Sequence, residues 1–359
     1  MGGRNMKKIR ILVVGLGTMG LSHARAYKSI AGFEIVGLCS RGAVLRNDIE
    51  TEFPGVARFS DYAEALRILQ PDAVSINTWP DTHADYAQMA LHADAHVFVE
   101  KPIADTVAKA EALAELARAK NKKLVIGYIL RVHPSWIKFV EVGKTLGKPL
   151  VMRMNLNQQS SGPQWQAHKQ LMKSLSPIVD CGVHYVDVMC QVTGAKPVRV
   201  HAVGAKLTHE IADTMYNYGH LHVSFDDGSV GWYEAGWGPM MSETAFFVKD
   251  MIGPHGSVSI AMDEESAGSA DIDGHTRTSA LRLHHAKLDA KGKFEKPDEI
   301  LRMDDEPGHQ DLCYREQDMF LDAILNDRNL DEHVNDAVNS LRIVLAADES
   351  VRTGEVVKL

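Results

Sequence analysis

The sequence predicts an α/β chain: an N-terminal Rossmann domain on a parallel sheet, then a C-terminal α+β domain built on a large, mostly antiparallel sheet. Three observations lead there. Short apolar runs alternate with helix-length segments through the first third. A GxGxxG string, Gly15 to Gly20, separates the first apolar run from the first helical segment. After about residue 130 the alternation gives way to closely spaced strand candidates. At 359 residues the chain is long for one domain and comfortable for two, and the boundary is placed between residues 128 and 129.

Ile9–Val14 (IRILVV) is an apolar run ending in glycine, the pattern of a strand buried on both faces. Thr18–Ile30 reads as a helix and Phe33–Cys39 as a second strand. Asp61–Leu69 is a helix opened by an acidic cap. Ala73–Ile76 and His96–Val99 are further short strands, separated by a helical stretch, Ala84–His92. Asp105–Asn121, with Asp105 as its cap, rich in Ala and Leu and with a basic end, is the clearest helix. Leu124–Tyr128 closes the series, and strands and helices in this order form a parallel sheet.

Beyond residue 130, His133–Leu146 reads as helix, Pro149–Gln158 as extended, Gln159–Ser176 as a polar loop and Pro177–Val192 as helix. Val198–Leu207, Tyr216–Phe225, Ser229–Gly236 and Ala245–Ile260 are strand candidates. The stretch VSFDDGSVGW carries a hairpin signal at Asp227-Gly228. Glu264–Gly274 is acidic and glycine-rich and reads as an exposed loop. Helices near Gln310–Leu325 and Val334–Val351 finish the chain, and no internal repeat is found.

Composition narrows the function classes. Lys and Arg number 39 against 47 Asp and Glu, a formal net charge of −8, which leaves no basic excess for a nucleic-acid surface. No apolar run reaches the roughly 20 residues of a membrane helix, and Met1–Arg10 is polar, unlike a signal peptide. Cys39, Cys181, Cys190 and Cys313 have neither CxxC spacing nor the density of a disulfide framework, so reduced thiols and a cytoplasmic setting are expected.

In GLGTMG, Gly15 permits the tight turn, Gly17 lets the backbone approach a pyrophosphate, and Gly20 lets the helix pack closely. The N–H groups of the helix start, at Thr18 and Met19, then face the phosphates. Alone, such a string is also an ordinary glycine-rich turn. The end of the second strand decides between the two nicotinamide cofactors. It reads Cys39-Ser40-Arg41, with no carboxylate for the ribose hydroxyls, so NADP is favoured slightly over NAD, with Ser40 and Arg41 as phosphate contacts.

Glu100-Lys101-Pro102 follows a strand and places Lys101 at its carboxyl end, where open α/β sheets bind ligands; Pro102 is a candidate cis residue. The alternative for Lys101 is a surface lysine. In Asp180-Cys181-Gly182-Val183-His184-Tyr185-Val186-Asp187, helical spacing puts Asp180, His184 and Asp187 on one face. A histidine beside a carboxylate is an acid–base candidate near neutral pH. The alternative is a capping aspartate with a partly buried histidine.

With these pieces in hand the chain resembles the Gfo/Idh/MocA family of oxidoreductases. GLGTMG, NTWPDTH at Asn77–His83, EKP at 100–102 and DCGVHYVD at 180–187 occur in family order and spacing. The resemblance implies an NAD(P)-dependent dehydrogenase acting on a secondary hydroxyl of a sugar, glycoside or cyclitol. It implies Lys101, Asp180 and His184 as catalytic residues, His184 taking the hydroxyl proton while Lys101 contacts the nicotinamide ribose and steadies the developing alkoxide. Thr78, Trp79, Pro80, His83 and Glu100 join the glycine loop at the cofactor, Trp79 standing where the family often has a shorter Ala-Thr-Pro.

For substrate binding the candidates are Tyr128, Arg131 and His133, after the last parallel strand, and Trp165 and His168, where an aromatic ring can stack on a sugar. The plain readings are a loop anchor for Trp165 and a helix-end ion pair for Arg131. With no further cluster of Arg or Lys, a neutral substrate is expected. His220 and His222 share a strand face and with His184 and Asp187 raise a metal site, but no tight ligand set supports one and no metal is expected. His201, His209, His255 and His275 read as surface or loop positions, while His284 and His285 point apart. The rivals are a redox-neutral NAD-dependent glycosidase and a non-catalytic regulator of the same fold. A homodimer or homotetramer is expected, from the open face of the second sheet.

Overall fold

The computed structural model describes residues 7–242, 248–261, 278–304 and 306–359; the expected loop Glu264–Gly274, His275 and the start of the Ala245–Ile260 run lie outside them. The chain forms two compact units, Met1–Ile129 with His309–Val338, and Leu130–Gly308 with Asn339–Leu359.

The first unit runs β1 (Ile9–Val14), α1 (Thr18–Ser29), β2 (Phe33–Cys39), α2 (Asn47–Glu52), β3 (Ala57–Phe59), α3 (Tyr62–Leu69), β4 (Ala73–Ile76), α4 (Pro80–His92), β5 (His96–Glu100), α5 (Val107–Ala119) and β6 (Leu124–Gly127). Its six strands are parallel in the order β3-β2-β1-β4-β5-β6. The order reverses direction between β1 and β4, so a crevice opens at their carboxyl ends. Ile11, Leu12 and Val13 are wholly buried, as a central strand covered on both faces requires.

Local chemistry sets the helix starts. Asp61 caps α3 by accepting from the Glu64 N–H at 2.7 Å. For α5 the cap is Thr106 rather than Asp105, whose carboxylate pairs with Lys109 at 3.1 Å instead. Helix α4 begins at Pro80, before the expected Ala84, because proline at the first helical position gives up no useful N–H.

The second unit contains α6 (Pro134–Gly143), β7 (Val151–Gln159), α7 (Gly162–Leu171), α8 (Pro177–Thr193), β8 (Pro197–Ala205), β9 (Tyr218–Phe225), β10 (Val230–Gly238), β11 (Lys249–Gly253), β12 (Gly256–Ala261), β13 (Ala280–His285) and β14 (Glu299–Arg302). Helix α9 (His309–Leu325) then returns to the first unit. Helix α10 (Asp331–Thr353) gives its start to the first unit and its remainder to the second, where β15 (Val357–Lys358) follows. The nine-stranded sheet has the order β14-β13-β12-β11-β7-β10-β9-β8-β15. Its pairings are antiparallel apart from β7 with β10. The hairpin of β9 and β10 turns at Asp227-Gly228, with Gly228 at φ 84°, a conformation that favours glycine. Residues along β8 expose Arg199, His201 and Val203 on one face of this sheet.

The structure departs from expectation in further places, beginning with α2 and β3, where no element was expected. Gln159–Ser176 is not a loop throughout, since α7 occupies Gly162–Leu171. Its buried residues, Trp165 and His168, are three apart on one face, and Gln166, Ala167 and Gln170 lie on the exposed face. The run expected as one strand to Ile260 folds back as β11 and β12, and His284 and His285 lie in a strand that the sequence reading had not marked. Finally, a single boundary at 128/129 does not describe the compact units. Phe320 and Leu321 of α9 pack with Ile11, Val13, Tyr27 and Phe33 in the first core, drawing His309–Val338 to that unit.

Candidate active site

The first unit gathers three loops at the carboxyl ends of its central strands. In the glycine loop, Gly15 has φ 85°, and a Cβ there would lie 2.3 Å from the Asn77 carbonyl oxygen. A Cβ on Gly20 would lie 1.8 Å from the Gly15 oxygen. Both glycines are therefore fixed by the fold itself. Gly17 is different: its φ is −77°, and an added Cβ would meet no protein atom within 4 Å. The fold does not need glycine there, whereas a pyrophosphate approaching the backbone does. Gly17 is also the cap of α1 and supplies no side chain, so the first-turn N–H groups of Thr18, Met19 and Gly20 are donors for an anion. These residues fit a dinucleotide.

At the end of β2, Ser40 is half-buried and Arg41 is exposed. Burial pushes the neighbouring Cys39 thiol up to about 11, which keeps it an inert thiol; all four cysteines are buried and none is in a disulfide. Sequence reasoning missed Arg46. Its guanidinium donates to the Leu16 carbonyl of the glycine loop at 2.7 Å and pairs with Asp48 at 2.5 Å. Arg58 in turn donates to the Arg46 carbonyl at 3.1 Å. No motif marks Arg46; only the return of the chain past the loop reveals it.

The second loop follows β4. The Asn77 N–H donates to the Val14 carbonyl at 2.7 Å, tying this loop to β1. Thr78 and Thr82 hydroxyls are hydrogen bonded at 2.7 Å, Trp79 caps α4 with its side chain 53% exposed, and Pro80 begins the helix. His83 is buried, with Nδ1 2.7 Å from the Pro102 carbonyl and Nε2 3.0 Å from that of Thr78. Burial lowers its pKa, outweighing both carbonyls. His83 thus spends its ring nitrogens on the protein, linking this loop to the next.

That third loop is Glu100-Lys101-Pro102 at the end of β5, with a cis Lys101–Pro102 bond. Glu100 is buried. One carboxylate oxygen lies 2.7 Å from His23 Nε2, and the other accepts the Lys101 N–H at 3.2 Å. Burial alone would raise the Glu100 carboxyl, but the hydrogen bond from His23 and the charge of Lys101 hold it well below the usual range. Lys101 is half-buried.

In the second unit, Ser176 caps α8 by accepting from the Val179 N–H at 3.1 Å, and Pro177 starts the helix. Asp180 and His184 follow, four apart and both half-buried. Asp187, expected on the same helix face, is fully buried. It accepts two hydrogen bonds from Arg131, at 2.8 and 2.6 Å, and one from Gln191 at 2.9 Å. Arg131 is thus half of a bidentate buried ion pair, and its guanidinium is committed to the protein rather than to a substrate.

Around the start of α8 the ends of β7 and β10 converge. Gln158 Oε1 accepts from Trp237 Nε1 at 2.6 Å and from the Cys181 thiol at 3.4 Å, and that thiol lies 3.6 Å from an Asp180 carboxylate oxygen. His168 stacks on Trp237, ring centres 4.4 Å apart, and hydrogen-bonds Ser160 at 3.0 Å. Trp165 packs in the same cluster as Cys181 and Trp237, donates to Glu210 at 3.1 Å, and has Lys169 over its ring at 5.6 Å. Both stand as walls of a packed cluster rather than as exposed stacking platforms. Gln158 and Trp237 had no sequence signal, since a strand-end Gln or Trp is read as ordinary sheet. Tyr128 is buried beside His333 in the first unit, so its ring is core. His133 is likewise buried, with Nε2 3.1 Å from Glu306. His220 and His222 rings lie 5.6 Å apart edge to face.

Two sequence models match the chain: one described as the oxidoreductase family with NAD-binding Rossmann fold, over residues 9–128, and one for the GFO/IDH/MocA C-terminal domain, over residues 141–248. UDP-N-acetylglucosamine 3-dehydrogenase of Acidithiobacillus ferrooxidans is 31% identical over 213 residues, 58% of this chain and 62% of that protein. Inositol 2-dehydrogenase of Salmonella typhimurium is 26% identical over 49% of this chain and 52% of its own length. The matched stretch thus spans less than two thirds of these curated relatives. The scyllo-inositol 2-dehydrogenase (NAD(+)) of Bacillus subtilis aligns over 98% of this chain and 96% of itself at 26% identity. Among solved structures, scyllo-inositol dehydrogenase from Lactobacillus casei with bound NAD(H) and scyllo-inositol superimposes with a TM-score of 0.75 over 98% of this chain and 99% of that one, at 21% identity. The apo form gives 0.76 at 20% over 99% of both. These likenesses establish the fold: a parallel Rossmann sheet followed by a mostly antiparallel one.

Proposed function

Because the chain belongs to the GFO/IDH/MocA oxidoreductase family, we propose that it is an NAD(P)-dependent dehydrogenase acting on a secondary hydroxyl of a cyclitol, sugar or glycoside. The observation that carries this reading is the placing of the glycine loop and Lys101 at the carboxyl ends of β1 and β5 in one sheet, with Gly17 bare where the fold does not require it. Gly15, Gly17, Thr18, Met19 and Gly20 hold the pyrophosphate. Thr78, Trp79 and Pro80 border the cofactor, while His83 and Glu100 brace its loops. Bound NAD(P) supplies the hydride acceptor.

The protein's part is to make the hydroxyl a better hydride donor. His184 takes the hydroxyl proton as general base, and Asp180, one turn before it, orients the substrate. The Lys101 ammonium steadies the developing alkoxide, a charge already in place before reaction. His168 and Trp165 act through the Trp237–Gln158–Cys181 cluster, shaping the Asp180 end rather than touching a ring.

No carboxylate follows β2, and Ser40, Arg41 and the loop-bound Arg46 are polar or positive, which supports NADP slightly over NAD. The exposed face of β8 to β10 supports a homodimer or homotetramer. Composition supports a cytoplasmic setting; among the described residues no helix is long and apolar enough to cross a membrane.

Mass spectrometry of the denatured, freshly purified protein and fluorescence titration with NAD(H) and NADP(H) test the reading. Dinucleotide release or micromolar binding upholds it and selects the form. If neither form binds, the glycine loop is only a turn and the enzyme reading falls.

A further inference from the structure

Beneath the Lys101 loop lies a buried polar chain that the reaction scheme above does not use. The Tyr27 phenol donates to Gln317 Oε1 at 2.5 Å, Gln317 Nε2 lies 2.9 Å from His23 Nδ1, and His23 Nε2 lies 2.7 Å from Glu100 Oε1. Glu100 Oε2 then accepts the Lys101 N–H. Tyr27, His23 and Gln317 are each buried to within 1%.

The donors fix a direction. With Oε1 of Gln317 taken by the phenol, its amide nitrogen, which only donates, faces His23 Nδ1. Nδ1 must therefore accept, and the ring proton sits on Nε2, aimed at the carboxylate. Reversing any one bond alone would set two buried donors or two buried acceptors against each other, at a cost of about 1–3 kcal/mol. We propose that Tyr27, Gln317 and His23 are positioning residues: a one-directional relay that locks the Glu100 carboxylate and through it the backbone of Lys101. Gln317 comes from α9, more than 200 positions along the chain from Lys101, so a helix outside the dinucleotide motifs sets the lysine's place. A competing use exists, since His23, Cys313 and Glu316 bring possible ligand atoms within 4.8 Å of one another. Both His23 nitrogens are already bonded, which favours the relay over a cation.

The inference rests on the proposed activity for its kinetic arm only. On the full-length ¹⁵N-histidine-labelled protein, with His23 assigned by its loss in His23→Gln, long-range ¹H–¹⁵N spectra should show a protonated Nε2 and a bare Nδ1. Gln317→Glu, which presents a carboxylate to Nδ1, should protonate that nitrogen. A proton on Nδ1 in the wild type, or a zinc-dependent shift of the His23 ring, would overturn the relay. In turnover of scyllo- or myo-inositol, His23→Leu and Gln317→Leu should lower kcat by about 10- to 100-fold and leave dinucleotide affinity within about twofold. His23→Gln, which keeps a donor toward Glu100, should recover most of the rate. Equal kcat in His23→Leu and wild type, or failure of His23→Gln to recover, also sinks the proposal. If the wild type turns over neither cyclitol while the spectra show the Nε2 tautomer and its response to Gln317→Glu, the substrate reading fails and the relay stands.

Discussion

The two units carry their chemistry in different currencies. In the first, the groups we propose for ligand binding are mainly backbone: glycines, first-turn N–H groups, a turn after a strand. In the second they are side chains in a packed cluster, Asp180 with Cys181, Gln158 and Trp237. Backbone chemistry leaves a mark in sequence because few residue types tolerate the geometry. Side-chain clusters leave little, because a glutamine at a strand end looks the same whether it faces solvent or holds a thiol.

Four perturbations sharpen or break this contrast, taken in order of expected size. The second unit's buried ion pair should matter most for stability. Arg131→Met strands the Asp187 carboxylate and should cost about 3–5 kcal/mol by chemical denaturation; a loss below 1 kcal/mol would mean that Gln191 alone satisfies Asp187. The glycine loop should then separate into fold and function. Gly20→Ala forces a Cβ against the Gly15 carbonyl and should destabilise by about 3 kcal/mol. Gly17→Ala should cost only the loss of a glycine cap, about 0.5–1 kcal/mol, and weaken dinucleotide binding, and matched stabilities in the two variants would erase the distinction. Third, Lys101→Ala and His184→Ala should each cut kcat about 100-fold with dinucleotide binding retained; wild-type rates in either would remove that residue from the chemistry.

The smallest effect concerns Glu316 in the first unit. Burial, with the Glu100 carboxylate nearby, pushes its pKa well above the ordinary value, so the folded chain keeps its proton where the unfolded chain has lost it. Stability should fall as pH rises above about 4.5 toward the folded value. Glu316→Gln removes that decline, so its gain in stability should be larger at pH 8 than at pH 5. An equal gain at both would show that Glu316 is ionised in the fold.

What the sequence made legible follows the same line. GLGTMG, the loop after β4, the Lys101 turn and most of the strand and helix order of the first unit were readable as local rules of dihedral space or capping, but the short α2 and the edge strand β3 were not marked. Thr106 displaced Asp105 as the cap of α5 because either residue type suits the role and only the local turn decides. Helix α7 was hidden by its polar exposed face. The pairing of Arg131 with Asp187 was open in the sequence as a helix-end ion pair, yet its partner lies 56 positions away and no period connects them. Gln317 and Arg46 were invisible for the same reason: their importance lies in what they touch.

The discontinuity of the first unit also has a consequence for the nascent chain. Phe320 and Leu321 belong to the core begun by Ile11 and Val13, so the Rossmann sheet emerges from the ribosome with one flank bare. At about 5–20 residues per second, the roughly 200 residues between Ile129 and Val338 take on the order of 10–40 s to synthesise. For that interval the half-built sheet must be tolerated, or shielded, by the cell's chaperones.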